Sequence, residues 1–269
     1  IAVSYLSRGG WLYGRTRGHS HKNVLLRRAQ YLSAEDIEGS LRIAQRLVRA
    51  KIKNGRTLIR RNATVDSARA ELTKTLETVD RAESIEALLG LEGHAAAVYF
   101  RAFNGLLGER VSPCFEFQRR NRRPAQDPTN ALLSLGYALL TTTWTETVER
   151  VGFDPYLGFY HQPRYGKPAL ALDLMEEFRP IVADSVVLNL IRRGTLSEED
   201  FVRTRTSCSL SKAGRRRFIG AYERRLSEEV THPVFGYRVS YRQVFEIQAR
   251  LLARYLTGET SDFPEFTTR

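Results

Sequence analysis

The chain is 269 residues long, enough for one large domain or two small ones and for a sizeable core. Its 42% hydrophobic and 27% charged residues are ordinary for a globular protein, and no apolar run approaches the roughly 18 residues of a membrane span. Forty-two Lys and Arg against 30 Asp and Glu give a net charge of +12, which calls for a polyanionic partner, nucleic acid before an anionic membrane.

The opening IAVSYLSRGG has no basic region followed by an apolar stretch, so it does not read as a signal peptide. It lacks an initial Met and reads as a piece of a longer polypeptide, or as a chain whose start was removed. Residues 1–22 read as strand, turn, strand: Ile1, Val3 and Tyr5 alternate with smaller or polar residues, Arg8-Gly9-Gly10 breaks the run, and Trp11-Leu12-Tyr13 resumes it. A lone hairpin is barely stable in water, so this one is expected to close a β domain whose other strands are absent.

From Asn23 the period changes from 2 to 3.6, so the chain is expected to be mainly helical after residue 22, with strands confined largely to the first twenty residues. Between residues 34 and 60, Leu41, Ile43, Leu47, Ala50 and Leu58 mark an apolar face. Arg42, Arg46, Arg49, Lys53, Arg56 and Arg60 form a second stripe about 27 Å long. No acid lies between Leu41 and Arg61, so the stripe suits DNA phosphates better than a salt-bridged surface. Residues 64–89 form another amphipathic stretch, broken around Ser84, and a further helix runs through Ala95-Ala96-Ala97 to Phe103. A basic irregular loop follows, with Pro113, Arg119, Arg120, Arg122, Arg123 and Pro124, and its arginines are further candidate DNA contacts. Asp127-Pro128-Thr129-Asn130 supplies a helix start for 131–151. Residues 169–193 read as helix interrupted by Pro180, and two more helices are expected near 212–229 and 240–256. The last dozen residues are polar and read as loose.

The densest chemistry runs from His161 to Pro180, where an apolar segment leads into Asp173, Glu176 and Glu177. On a helix those three carboxylates would share one face and would need a positive partner, either a divalent cation or a basic side chain such as Arg179. Glu92 interrupts a segment rich in Ala, Val, Tyr and Phe, and a buried carboxylate needs a cation or hydrogen bonds. His94, two residues on, points away from it; His94, His19, His21 and His232 read as structural or surface groups. Phosphate-loop, dinucleotide-binding, zinc-protease and serine-hydrolase motifs are missing. Cys114 and Cys208 are too few for a disulfide framework or a structural zinc site, and a reducing cytoplasm is the default.

Leu91-Glu92-Gly93-His94-Ala95-Ala96-Ala97-Val98-Tyr99-Phe100, Asp127-Pro128-Thr129-Asn130-Ala131-Leu132-Leu133-Ser134-Leu135-Gly136-Tyr137 and the stretch from His161 to Pro180 resemble the CRISPR-associated integrase family, the nuclease of spacer acquisition. Asn23-Val24-Leu25-Leu26-Arg27-Arg28-Ala29-Gln30-Tyr31 and Lys51-Ile52-Lys53-Asn54 resemble the segments that open its helical domain. The resemblance implies a mostly α protein, with residues 1–22 ending a truncated N-terminal β domain and 23–269 forming a helical catalytic domain that binds metal and DNA. It implies one Mn²⁺ or Mg²⁺ ion held by Glu92, His161 and Glu176, with Asp173 beside them as a further catalytic residue. Another role for His161 is that of a proton shuttle. Family members join short DNA to the repeat of a CRISPR array by 3′-OH transesterification. They do so as homodimers bridged by a small ferredoxin-like partner subunit, in the prokaryotic cytoplasm. Two other readings stay open: a basic helical nucleic-acid-binding subunit without chemistry, and a general structure-specific nuclease.

Overall fold

The computed structural model describes residues 3–8, 12–16, 22–63, 65–108, 111–121 and 124–268. Strands β1 (Val3–Leu6) and β2 (Leu12–Thr16) pair antiparallel as the alternation requires; Ile1 and Trp11 lie outside the described residues.

Helix α1 (Val24–Glu35) begins where the period changes, and Asn23 caps it by accepting from the Leu26 N–H at 3.0 Å. Helix α2 (Ile37–Asn62) follows, then α3 (Asp66–Val79), α4 (Ile85–Arg101) and the short α5 (Phe103–Leu107). Ser84 is the break expected between α3 and α4, and its hydroxyl caps α4 through the Ala87 N–H. Helix α6 (Pro128–Val151) starts on an Asp127 cap with Pro128 in its first turn and ends at Gly152, whose φ of 116° few other residues adopt. It is the centre of the molecule: Leu132, Leu133, Leu140, Trp144 and Val148 are buried, and the Trp144 ring stacks on Phe245 with centroids 4.7 Å apart.

The segment expected to be a helix interrupted at Pro180 is more finely divided. Helix α7 (Ala169–Leu174) gives way to a 3₁₀ turn at Glu176–Phe178, then a π-helical turn at Arg179–Asp184, and only then to α8 (Ser185–Arg192). Pro180 has no N–H to donate, and the wider turn accommodates it. The Ile181 carbonyl accepts from Arg225 Nε at 2.9 Å, from Arg225 Nη2 at 2.6 Å and from Ser185 Oγ at 2.8 Å. Helices α9 (Lys212–Ser227) and α10 (Tyr241–Leu256) lie where the periodicity puts them.

The mainly helical architecture expected after residue 22 is what the chain adopts, and beyond the first twenty residues the strands among the described residues are two short pairs: β3 (Phe201–Arg203) with β4 (Cys208–Leu210), and β5 (Glu229–Thr231) with β6 (Arg238–Ser240). Each has three residues, too few for alternation to register in the sequence. One expectation is corrected: the last dozen residues are not loose. Phe263 and Phe266 are both fully buried, and Phe266 stacks on Phe178 with centroids 5.3 Å apart. Asn54 of α2 holds this tail, donating to the Phe266 carbonyl at 2.9 Å and accepting from the Thr268 N–H at 2.9 Å.

Candidate active site

The turn after α7 decides where the three neighbouring carboxylates go. On an uninterrupted helix they would share a face; here they part. Asp173, the last acid on α7, is wholly buried and turns back to the 159–161 segment. Its Oδ2 accepts from the N–H groups of Phe159 (2.6 Å) and Tyr160 (3.0 Å), and its Oδ1 from the His161 N–H (2.8 Å) and ring Nδ1 (2.8 Å). With both oxygens occupied, Asp173 faces His161 rather than the open side of the site. This geometry holds the His161 ring in place and does not present Asp173 as a ligand on a face shared with Glu176. Gly158 permits the approach: a Cβ there would lie 2.5 Å from Asp173 Oδ2 and 2.9 Å from the Ala169 carbonyl carbon.

Glu177 points the other way and is completely buried beside Gln248 Nε2 (3.2 Å) and the Phe266 N–H (3.4 Å). Burial raises its carboxyl well above the ordinary range, against the pull of those two hydrogen bonds. It belongs to the tail contact.

Glu176 is the acid that meets His161. Its Oε1 lies 3.8 Å from His161 Nε2 and 3.0 Å from Arg179 Nη2, and its Oε2 lies 2.7 Å from Lys51 Nζ. Burial by itself would raise this carboxyl; Arg179, Lys51 and His161 together hold it down at about 2. The Lys51 ammonium also contacts Glu92 of α4, so both carboxylates reach one nitrogen and stand no more than about 6 Å apart, two hydrogen-bond lengths. Glu92, His161 and Glu176, from three separate parts of the sequence, therefore converge.

Do these residues fit a metal? The donor set is one imidazole and two carboxylates. Asp173 accepts from Nδ1, which leaves the Nε2 lone pair toward Glu176, the second-sphere arrangement of a metal-binding histidine. The 3.8 Å between His161 Nε2 and Glu176 Oε1 is the spacing of two ligands on one ion with bonds of roughly 2.1 Å. Glu176 Oε2 is buried and makes no aligned hydrogen bond, its contact with Lys51 being an ion pair. As placed, no three His, Cys, Asp or Glu side chains among the described residues enclose a single point. The Lys51 ammonium stands between Glu92 and Glu176, and it would have to swing aside for Glu92 to close in. With that movement the set fits.

Sequence reasoning missed Lys51 as a site residue, although the signal was present. It shares a helical face with the buried Ala44, Leu47, Val48, Ile52, Gly55 and Leu58, so it is a charge on an apolar stripe. Asp184 was missed too. Wholly buried, it accepts from the hydroxyls of Tyr99 and Tyr137, each at 2.8 Å, and the Arg179 guanidinium lies over the Tyr137 ring at 4.9 Å. Burial pushes this carboxyl up to about 6, despite the two tyrosines and Arg179.

The basic stripe on α2 is divided. Arg46 pairs with Asp262 and donates to the Phe263 carbonyl at 2.8 Å; Arg49 pairs with Asp80 and, at 3.0 Å, with Glu265; Lys53 pairs with Glu265. The acids absent between Leu41 and Arg61 come from the tail and from the end of α3, so these three cations already have partners within the fold. Arg42 is half exposed and stands 3.7 Å from both Asp36 and Glu38. Arg56 donates to Thr73 Oγ1 at 3.0 Å, and Arg60 is exposed. In the basic loop Arg119 is exposed, whereas Arg120 is built into the fold, donating to Asn130 Oδ1 (2.7 Å) and Ser134 Oγ (3.0 Å). Arg122 and Arg123 lie outside the described residues, as do His19 and His21. His94 pairs with Glu71 at 3.2 Å, away from Glu92, and His232 is buried.

Comparison with known proteins gives this geometry its context. The family described as CRISPR associated protein Cas1 matches residues 1–224. A protein of Geobacter sulfurreducens named CRISPR-associated exonuclease Cas4/endonuclease Cas1 fusion is 50% identical over 279 residues, covering 100% of this chain and 50% of that protein. The chain thus spans about half the length of that relative. Among solved structures, a casposase bound to integration product superposes with a TM-score of 0.86 at 27% identity, over 98% of this chain and 73% of that one. A chain of a Cas6-RT-Cas1–Cas2 complex gives a TM-score of 0.86 at 28% identity, over 100% of this chain and 30% of that one. On the family match and the identity to its relatives, the chain belongs to the Cas1 family of CRISPR-associated proteins.

Proposed function

We propose that this chain is the catalytic portion of a metal-dependent DNA endonuclease and integrase that joins short DNA to a CRISPR array by 3′-OH transesterification. The observation that carries the reading is the meeting of Glu92, His161 and Glu176, with Asp173 fixing the His161 ring. Bound among them, Mn²⁺ or Mg²⁺ would neutralise charge on the phosphate and lower the pKa of the attacking hydroxyl; one nitrogen and two carboxylate ligands suit Mn²⁺ somewhat better.

The protein's own contribution can be followed atom by atom. Asp173 keeps the proton on His161 Nδ1 and so keeps Nε2 available. Arg179 beside Glu176, and Lys51 once it has swung out from between the two carboxylates, bring two positive charges to the site, where they can orient non-bridging oxygens of a scissile phosphodiester. The 3′-hydroxyl oxygen forms a bond to phosphorus, its proton leaves, and the displaced O3′ departs with the bonding pair and takes up a proton. One phosphodiester replaces another, so no external energy source is needed.

The named relative and neighbours support the rest of the reading: the relative is named as a fusion that includes endonuclease Cas1, one neighbour was solved with an integration product, and another in a complex with Cas2. Spacer precursor and CRISPR repeat DNA as substrates, a homodimer, and a small ferredoxin-like partner subunit belong to this proposal. So do the prokaryotic cytoplasm as the setting and residues 1–22 as the end of a β domain. Among the described residues no helix is long and apolar enough to cross a membrane.

The test is strand transfer of a labelled 3′-OH duplex into a plasmid carrying a CRISPR repeat, with and without Mn²⁺. Joining that needs the metal and is lost in Glu92→Ala, His161→Ala or Glu176→Ala, with duplex binding retained, is the expected result. Binding without any nicking or joining would make the chain a DNA-binding subunit, and cleavage without joining a general nuclease.

A further inference from the structure

The pairing of Arg46, Arg49 and Lys53 with the tail leaves the C-terminal end of the α2 stripe in a different state. Arg56 and Arg60 make no ion pair among the described residues. They are one turn apart, so their side chains are neighbours on the helix surface. Facing them across a cleft of about 370 Å³ are Arg69 and Thr73 of α3, with Thr57 completing the α2 wall. One carboxylate enters, Asp66, and it is 2.8 Å from Arg69. Three guanidiniums against one carboxylate leave the cleft strongly positive.

We propose that this cleft between α2 and α3 holds a phosphate of the bound DNA backbone, with Arg56, Arg60 and Arg69 as its ligands. The proposal rests on the reading of the chain as a DNA-binding protein and locates one contact of that surface. Three observations support it. Where acids lie within reach of the stripe they neutralise it, so the surplus at Arg56, Arg60 and Arg69 is particular to this end of the helix. The three guanidiniums make a wall rich in donors, suited to phosphate oxygens rather than to an apolar ligand, while the hydroxyls of Thr73 and Thr57 already donate to the Arg69 and Thr268 carbonyls. The start of α3 lies at this wall, and Val65 gives its first-turn N–H groups no side-chain acceptor, so the helix end adds to the positive field. The volume lies in the range of ligand pockets and accommodates a sugar–phosphate unit more readily than a bare ion.

Arg60 is exposed and Arg69 is only partly buried, so replacing them leaves the core untouched. The measurement is the affinity of the chain for a fluorescein-labelled duplex at several salt concentrations, for the wild type, R60A/R69A and R46A/K53A. The proposal expects R60A/R69A to keep its melting midpoint, to bind on the order of tenfold more weakly, and to lower the slope of log K against log salt by about one to two. R46A/K53A, which loosens the tail, is expected to melt earlier with an unchanged slope. An R60A/R69A slope and affinity equal to those of the wild type overturns the proposal. Inorganic phosphate is the second probe. If it raises the melting midpoint of the wild type but not of R60A/R69A while the DNA slope is unchanged, the cleft belongs to free phosphate and the DNA assignment falls. A wild type that binds no duplex at any salt overturns the underlying DNA reading, a result distinct from an unchanged slope.

Discussion

Asp173 shows how much one side chain can organise without facing the site it serves. It accepts three backbone N–H groups and the imidazole Nδ1, so it fixes the 159–161 turn and the His161 tautomer together. Asp173→Asn puts an NH₂ group where an acceptor is needed, and Mn²⁺ affinity measured by calorimetry is expected to fall by about 10- to 100-fold. Gly158→Ala should produce the same loss by a different route, since its new methyl group would meet the Asp173 carboxylate and the Ala169 backbone. Duplex binding should survive both changes. Asp184 leads to a prediction about pH. Its folded value of about 6 lies above the ordinary 3.8, so between those values the folded protein keeps a proton that the unfolded chain has released. The associated stability is present at low pH and lost as pH rises through 6, by about 3 kcal/mol in all. Urea denaturation across pH 4–7 should show wild-type stability falling relative to Asp184→Asn by that order; parallel curves would assign Asp184 an ordinary pKa. At this scale Glu92, His161 and Glu176 were legible because a family pattern marks them. The roles of Asp173 and Lys51 were not, because a helical wheel cannot show that α7 stops at Leu174 and that the next turn tightens.

Among the elements, α2, α6, α9 and α10 could be read from periodicity and caps, with ends within a few residues of those observed. The tail could not. Its Thr, Ser, Asp and Glu residues outweigh Phe263 and Phe266 in any average of hydrophobicity, yet those two rings anchor it. Both are buried, and Phe266 touches Phe178, His232 and Tyr241. Phe266→Ala is expected to cost about 3–5 kcal/mol, the price of a large core cavity, and to lower the thermal midpoint measured by calorimetry. Because Phe178 is two residues from Glu176, the same variant should also weaken Mn²⁺ binding. An unchanged midpoint would mean that the tail only covers the surface. The short strands after Phe201 were illegible for a simpler reason, since a three-residue pairing is set by the loops that bring its ends together rather than by its own pattern.

For the whole molecule, a net charge of +12 indicated the class of partner but not where it binds. The stripe on α2 looked uniform in sequence because the acids that answer part of it lie far along the chain, at Asp80, Asp262 and Glu265. Only the fold divides that helix into a half that grips the tail and a half that opens on the cleft beside α3. This long-range pairing also sets an order of events during synthesis. Arg46 and the Phe263 carbonyl are 217 residues apart, which corresponds to roughly 10–40 s of translation. For that interval Arg46 and Lys53 stand without their tail partners and the seat of Phe266 is open to water. Helix α2 is then a basic, sticky surface among nucleic acids, and a segment made 217 residues after Arg46 both quiets that surface and completes the backing of Glu176.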